Sequence, residues 1–225
     1  MRRSMVVLLA LTLSAPALAK DARIGPTTVK LTTPAGQCEL DETKPGDANL
    51  IRAVEALLAG GNKLLGMFAN CTQLTDWRAG KRAALDDFAQ YQTPVSALEA
   101  PPPPVPEEIL KEICAGMRAE GEKRVVGMAP DIKTRIEQVL KDVKLNQVRF
   151  LGVVAEEPNA CYAVQAQRFK AANGKDVTQV ALYATTFVRG KLVYYYLFSP
   201  YQSNFTVTAL LAKHKANVAA LLAAN

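Results

Sequence analysis

The first 19 residues constrain this chain most, because they indicate the compartment in which it folds and therefore which covalent bonds it can form. Arg2 and Arg3 precede an apolar run from Met5 to Leu13, and the segment closes with Ala17-Leu18-Ala19. A charged start, a short apolar stretch and a small-residue end are typical of a cleavable secretory signal. We therefore predict a mature chain that begins at Lys20 and is periplasmic or secreted.

Export changes how the four cysteines are interpreted. Thiols outside the cytosol tend to be oxidised in pairs, and no Cys-x-x-Cys spacing points to a zinc or thioredoxin-like site. Three pairings are possible. We favour Cys38 with Cys71, where the ends of two successive strands meet. We also favour Cys114 with Cys161, where an inward helix position faces the sheet that it covers.

Composition narrows the classes of partner. The chain has a formal net charge of +6, but the nearest approach to a basic cluster, Arg78, Lys81 and Arg82, has acidic residues beside it. A nucleic-acid partner is therefore not predicted, because such proteins cluster Lys and Arg on one face. After the signal, no apolar stretch reaches the ~20 residues that span a bilayer, so we expect no transmembrane span in the mature chain.

The start of the mature sequence predicts a hairpin followed by a helix. Thr27–Leu31 and Cys38–Leu40 have strand composition and flank the turn signal Pro34-Ala35-Gly36, so we expect the two strands to pair. Asp47 is a residue type that caps helices, and apolar residues follow it at helical spacing as far as Gly60-Gly61.

The middle of the chain is divided by a proline-rich stretch. Leu64–Phe68 is an apolar run typical of a buried strand, and a short helical turn is expected after it. Asp86–Val95 fits more than one kind of element. Pro101–Pro104 predicts an extended, stiff connection. We expect residues 20–225 to form a single domain with this proline-rich connection at 101–106.

Beyond the connection, the sequence predicts two helices, four strands and a closing helix. The helices carry apolar faces at 109–117 and 132–143, and the last helix is expected from about Thr206 to Ala223. Junctions at Asn173-Gly174 and Arg189-Gly190 favour hairpins. The strands of the resulting four-stranded antiparallel meander are Val148–Val154, Cys161–Phe169, Val177–Val188 and Lys191–Phe198.

This arrangement predicts an α+β fold, because the strands follow one another and helices bracket them. The antiparallel sheet would contain the meander and the N-terminal hairpin, covered by helices in an α/β/α sandwich. The order of elements resembles the Mog1/PsbP-like organisation, with local support from Pro34-Ala35-Gly36 before Cys38 and from the Arg189-Gly190 hairpin before Tyr194-Tyr195-Tyr196. The resemblance implies an accessory factor bound to a larger assembly. The segment from Cys71 to Arg82 also resembles exported bacterial proteins, without implying a function.

Catalytic and metal-binding motifs are missing from the sequence. His214 is the only histidine and falls on the apolar stripe of the last predicted helix, which favours a core position. There is no Gly-x-Ser-x-Gly elbow, no phosphate-binding glycine loop and no His-Glu-x-x-His pair. We therefore predict no catalytic residues, no metal ligands and no cofactor.

Two groups of residues are candidates for binding. Trp77 offers an aromatic anchor, and Arg78 and Arg82 offer forks for a carboxylate or phosphate, although a packed helix end with solvated charges explains them as well. Tyr194 and Tyr196 share one side of a predicted strand, where they either form a stacking or sugar-binding surface or pack within the sheet.

These observations favour an exported, non-catalytic binding or accessory module whose ligand is a protein or a small molecule. An enzyme with an unrecognised site is the first alternative, and it would need titratable side chains that converge in one pocket. An envelope-associated protein that uses its last helix at a membrane surface is the second, although that helix is needed to cover the sheet.

Overall fold

The structure is a computed structural model, and it describes residues 19–140, 143–170 and 174–225. The predicted signal up to residue 18 lies outside the described residues. The helices are α1 (Pro45–Leu58), α2 (Cys71–Arg78), α3 (Pro106–Val139) and α4 (Asn204–Ala223). The strands are β1 (Ala19–Ile24), β2 (Thr27–Thr32), β3 (Gln37–Glu39), β4 (Asn62–Asn70), β5 (Phe88–Pro94), β6 (Lys144–Glu157), β7 (Ala160–Lys170), β8 (Asp176–Val188) and β9 (Lys191–Pro200).

The centre of the fold is a seven-stranded sheet in the order β3-β4-β5-β9-β8-β7-β6. Every paired neighbour in it is antiparallel, and β1 and β2 form a separate antiparallel hairpin. The predicted α+β class is therefore confirmed. The predicted meander is also confirmed as β6 to β9, with the two-residue turn Arg189-Gly190 at positive φ between its last two strands.

The large sheet has two faces with different covers. On one face, which we call the α4 face, α4 packs on β8, β9 and β7, and the β1–β2 hairpin adds Ile24, Val29 and Leu31 to the same core. On the other, which we call the α1/α3 face, α1 and α2 pack on β4, whereas α3 packs along β6. Helices α1 and α3 also contact each other, and Arg135 of α3 donates to the carbonyls of Leu57 and Ala59 at the end of α1.

The alternation of side chains along the strands decides which face each residue joins. On β9, Val193, Tyr195 and Leu197 are fully buried on the α4 face. Their neighbours Tyr194 and Tyr196 point to the α1/α3 face and are partly exposed.

Two disulfides join Cys38 to Cys71 and Cys114 to Cys161, which confirms the predicted pairing. The first connects β3 to the start of α2 at one edge of the sheet. The second connects α3 to β7 near the other edge, and both of its cysteines are buried. Each bond closes a loop of tens of residues and contributes about 4 kcal/mol by the chain-entropy estimate.

Two N-terminal predictions are wrong. Strand β2 pairs with β1 through a turn in which Gly25 has a positive φ, whereas β3 pairs with β4 in the large sheet. The sequence favoured a β2–β3 hairpin because it contains a turn signal at Pro34-Ala35-Gly36. Asp47 is not the N-cap of α1, because the helix begins at Pro45 after Lys44. The Asp47 carboxylate instead accepts a hydrogen bond from Arg78.

A third prediction is wrong, because Pro106–Val139 form one helix where the sequence favoured two. Helix α3 runs through Pro130, where the Thr134 hydroxyl donates to the Pro130 carbonyl. The helix packs on β6 through Val125 before the proline and Ile136 after it, and this packing offsets the lost backbone hydrogen bond. Its close approach to β6 requires Gly121, because a Cβ there would lie 2.3 Å from the Phe150 ring.

The remaining elements agree with the sequence or complete it. The ambiguous stretch near residue 90 is β5, and the closing helix is α4. Asn173 of the predicted turn lies outside the described residues. Within the described ranges, no helix is long and apolar enough to cross a membrane.

Candidate functional site

Arg78, predicted as a fork for an anion, is bound within the protein. Its guanidinium donates two hydrogen bonds to the carboxylate of Asp47, which is fully buried at the start of α1. The same carboxylate accepts the backbone N–H of Asp41 at 2.8 Å. Burial alone would raise the pKa of Asp47, but the hydrogen bonds from Arg78 and Asp41 outweigh it and hold the pKa below its usual value. The pair fixes α2 against α1.

A polar cleft of about 590 Å³ lies beside this ion pair. Its walls carry basic side chains that already have acidic partners: Lys20 lies 2.5 Å from Glu39, and Lys44 lies 3.7 Å from Asp41. Arg78, also in the wall, is paired with Asp47. The positive charges in the wall of the cleft are therefore balanced by carboxylates, and they do not form a site that would attract an anion.

Trp77 and Arg82 also have intramolecular partners. The Trp77 indole is half-buried in the apolar cluster between α1, α2 and β4. Arg82 forms an ion pair with Asp86 and donates to the carbonyl of Ala84. Both observations match the alternative of a packed helix end with solvated charges.

The tyrosines form the second candidate group, and the structure adds a third ring to them. Tyr194 and Tyr196 of β9 lie beside Tyr183 of β8 on the α1/α3 face, and we call these three residues the tyrosine surface. The rings of Tyr183 and Tyr196 stack with centroids 5.2 Å apart, and Tyr194 meets Tyr196 edge to face at 6.4 Å. Sequence reasoning missed Tyr183 because its strand partner depends on the register between β8 and β9, which places it opposite Tyr196.

A row of aromatic rings connects the two candidate groups. Tyr196 lies 5.8 Å from the Phe198 ring, and Phe198 stacks on Phe88 at 4.4 Å. Phe88 in turn packs in the same apolar cluster as Trp77. Trp77 and the two predicted tyrosines therefore lie on the same face of the sheet, at opposite ends of this row.

The hydroxyl groups of the tyrosine surface differ in how they are satisfied. The Tyr183 hydroxyl donates to the Met117 sulfur of α3 at 3.5 Å. Within the described ranges, the hydroxyls of Tyr194 and Tyr196 have no hydrogen-bond partner, and neither hydroxyl oxygen is fully buried. Burial raises the pKa of Tyr183 to about 12 and also raises the pKa values of Tyr194 and Tyr196. All three hydroxyls are therefore neutral hydrogen-bond donors at physiological pH.

Amide side chains lie next to the tyrosines on β5. The register places Gln92 opposite Tyr194 and Gln90 opposite Tyr196. Gln92 donates to Gln90 at 2.7 Å and accepts from Asn62 at 2.9 Å, so the amides form an ordered chain. Both glutamines are buried, so the partly exposed groups at this place are the tyrosines.

The only histidine is part of the core of the α4 face. His214 has no exposed surface, stacks on Tyr195 at 4.5 Å and meets Tyr162 edge to face. Neither ring nitrogen has a partner that meets hydrogen-bond geometry among the described residues. Burial lowers the pKa of His214 to about 3, and the nearby backbone of Tyr195 offsets this only in part. The ring is neutral and sealed from solvent, so it cannot exchange a proton with a substrate.

Groups suited to acid–base or metal chemistry do not converge elsewhere in the described ranges. No cluster of three or more His, Cys, Asp and Glu residues there could hold a metal ion. The carboxyl groups with clearly shifted pKa values, Asp41, Asp47 and Glu157, are all shifted downward, and each accepts hydrogen bonds from protein groups. A general acid at neutral pH would need an upward shift.

A feature that the sequence did not predict is a groove of about 310 Å³ between α3 and β6. Val126 and Pro130 line one side, and Leu145 and Val148 line the other. The signal that could have found it is the long helix itself, because a helix that follows an edge strand leaves a groove beside it.

Comparison with known proteins adds no assignment. No family model, no curated protein and no solved structure matches this chain. Functional interpretation therefore depends on the geometry of the surfaces described above.

Proposed function

We propose that this chain is an exported, non-catalytic binding module whose ligand contacts the tyrosine surface. The observation that carries the proposal is the pair of Tyr194 and Tyr196 hydroxyls, which have no hydrogen-bond partner among the described residues and lie on a partly exposed aromatic face. Tyrosine hydroxyls in a protein interior are normally hydrogen-bonded. Rings that are packed while their hydroxyls stay available are suited to recognition.

The chemistry of this surface favours a neutral ligand with flat apolar faces and a polar rim. A pyranose ring has this character, since its C–H groups can pack on an aromatic face while its hydroxyls bind donors and acceptors. The three tyrosine hydroxyls stay neutral, and the buried side chains of Gln90 and Gln92 beside them are uncharged. A short oligosaccharide therefore fits better than an anion or a metal ion.

Two further arguments support binding over the alternatives. The resemblance to the Mog1/PsbP-like organisation favours an accessory role over catalysis. The buried face of α4 contains His214, Asn217, Val218 and Leu221 and covers the sheet, so it is not available to a membrane surface.

The proposal is tested by NMR titration of residues 20–225 with the trimer of N-acetylglucosamine up to about 5 mM, a range that detects weak binding. We expect chemical-shift changes centred on residues 183 and 194–196. Tyr194→Leu and Tyr196→Leu should each weaken the interaction at least tenfold, because they remove a ring and a hydroxyl.

Tyr201→Leu is the matched control. Tyr201 is an exposed tyrosine in the loop after β9, and its hydroxyl donates to Asn204. The control should bind like the unmodified chain. Shifts that are absent, or that survive both strand substitutions, would contradict the proposal.

Export is tested separately by mass spectrometry of protein purified from the natural host. We expect an N-terminus at Lys20 and two intact disulfides. A chain that retains Met1 would contradict the predicted signal.

A further inference from the structure

Strand β6 is an edge of the large sheet, and it is irregular in a specific way. The pairing of β6 with β7 shifts register at three places, so that Asn146, Leu151 and Val154 are extra residues without a partner on β7. Such bulges redirect side chains and interrupt the ladder that an edge strand offers. Leu151 is 50% exposed and Val154 is 38% exposed, so two bulges place apolar side chains in solvent.

The exposed residues of β6 follow a pattern that is symmetric about the centre of 149–156. The exposed residues are Arg149, Leu151, Val154 and Glu156, and the four residues between them are partly buried. Reversal of this segment leaves the order of exposed and partly buried positions unchanged. The reversal also places Leu151 opposite Val154 and the cation opposite the anion.

The charged residues at the two ends of this segment, Arg149 and Glu156, both contact helix α3. The Arg149 guanidinium lies 3.8 Å from Glu122 of α3, and Glu156 lies 2.5 Å from Arg118 of α3. Both side chains therefore reach α3 from the two ends of the segment. Glu122 also accepts the backbone N–H of Phe150 at 2.8 Å, which occupies the edge of the ladder at that point.

We propose that this strip, Arg149, Leu151, Val154 and Glu156, is the contact between two copies of this chain. A two-fold axis at the centre of the strip would pack Leu151 of each copy against Val154 of the other. The same operation places Arg149 beside Glu156 of the other copy, and Glu122 beside Arg118. The contact is made by side chains, because the bulges and Glu122 prevent a continuous sheet.

Charge complementarity favours a second copy of this chain as the partner that binds the strip. An isologous contact requires a patch that complements itself, and a strip with a cation at one end, an anion at the other and apolar residues between them meets this requirement. The exposed ion pairs within one copy hold little free energy, so they can exchange for pairs between copies. The strip lies on the β6 edge, whereas the tyrosine surface lies on β8 and β9, so neither proposal depends on the other.

The test is sedimentation equilibrium of residues 20–225 from about 1 to about 500 µM, a range that covers weak self-association. We expect a dimer whose dissociation constant rises at least tenfold in Arg149→Glu and in Glu156→Arg, because each variant places like charges together twice. When these two variants are mixed, both contacts join opposite charges, so the mixture should dimerise as the unmodified chain does. Lys81→Glu, at an exposed position after α2, is the matched control and should leave dimerisation unchanged.

Each other outcome overturns the proposal. A chain that stays monomeric throughout the range has no such contact. Dimerisation that persists in both single variants uses another surface, and failure of the mixture to restore it excludes the two-fold arrangement. Leu151→Ser removes an exposed side chain with little risk to folding, and it must also weaken the dimer should a charge variant fail to fold.

Discussion

Three consecutive tyrosines on β9 experience two different environments. Tyr195 lies on the α4 face with no exposed surface, stacked between Tyr91 and His214. Its hydroxyl accepts a hydrogen bond from Asn217 at 2.9 Å. Tyr194 and Tyr196, one residue away on either side, lie partly exposed on the α1/α3 face without hydrogen-bond partners among the described residues.

Other tyrosines of the α4 face resemble Tyr195. On the α4 face, the hydroxyls of Tyr91 and Tyr162 also have partners, since they donate to the Thr32 carbonyl and to Glu157. One helix and a hairpin close this face over the centre of the sheet. The α1/α3 face is covered by three helices, but Tyr183, Tyr194 and Tyr196 stay partly exposed on it. The same residue type therefore serves as core on one face and as surface on the other.

The largest expected effect is the difference in stability lost when a tyrosine on each face is truncated to alanine. Tyr195→Ala should lower the free energy of unfolding by about 3 to 5 kcal/mol, because it leaves a cavity in a closed core and an unpaired Asn217 amide. Tyr194→Ala should cost about 1 to 2 kcal/mol, since its site can relax toward solvent. Urea unfolding of both variants measures the contrast. Equal losses would show that the α1/α3 face is as closed as the α4 face.

A smaller effect concerns acid stability and comes from the α4 face alone. The pKa of His214 is about 3 in the folded protein, against about 6.5 when unfolded, so the unfolded chain binds the proton first. Stability should therefore fall as the pH drops below about 6.5, by about 2 kcal/mol between pH 7 and pH 5, and the loss should continue toward pH 3. Asp47, with its lowered pKa, should add a loss only at lower pH, below about 4.

His214→Leu removes the titrating group and is the control for this prediction. Urea unfolding of the variant should show little change between pH 7 and pH 5. A variant that loses as much stability as the unmodified chain over that interval would assign the acid sensitivity to other groups.

The smallest effect compares single hydroxyl groups. Tyr91→Phe removes a buried hydrogen bond to the Thr32 carbonyl and should cost about 1 to 1.5 kcal/mol. Tyr194→Phe removes a hydroxyl that has no partner in the described part of the chain, and it should change stability by less than about 0.5 kcal/mol. Thermal unfolding of the two phenylalanine variants measures both losses of stability. A substantial loss for Tyr194→Phe would mean that its hydroxyl has a structural role.

Sequence patterns predicted the parts of this fold that depend on local periodicity. The meander followed from strand alternation and from the glycine turn at Arg189-Gly190, and the pairing of the four cysteines followed from which elements each one would join. The β1–β2 hairpin and the continuity of α3 were not predicted. They are decided by tertiary packing, which brings Ile24 and Val29 into the α4-face core and holds α3 along β6 despite Pro130.

The candidate site was predictable to a similar extent. Strand alternation was enough to place Tyr194 and Tyr196 on one side, but the third ring depended on the register between β8 and β9. The partner of Arg78 was not predictable, because Asp47 lies 31 residues away and was assigned to a helix cap. A contact between distant residues leaves no local pattern to detect.

Hydroxyl-radical footprinting of the folded mature chain, with oxidation quantified for each tyrosine, tests the contrast between the two faces most directly. Radical attack reports solvent access to each side chain, so exposed Tyr201 and buried Tyr91 serve as internal references. We predict that Tyr194 and Tyr196 are oxidised at rates nearer that of Tyr201, and that Tyr195 between them is protected like Tyr91. Equal protection of all three consecutive tyrosines would contradict an open α1/α3 face, and with it the proposed binding surface.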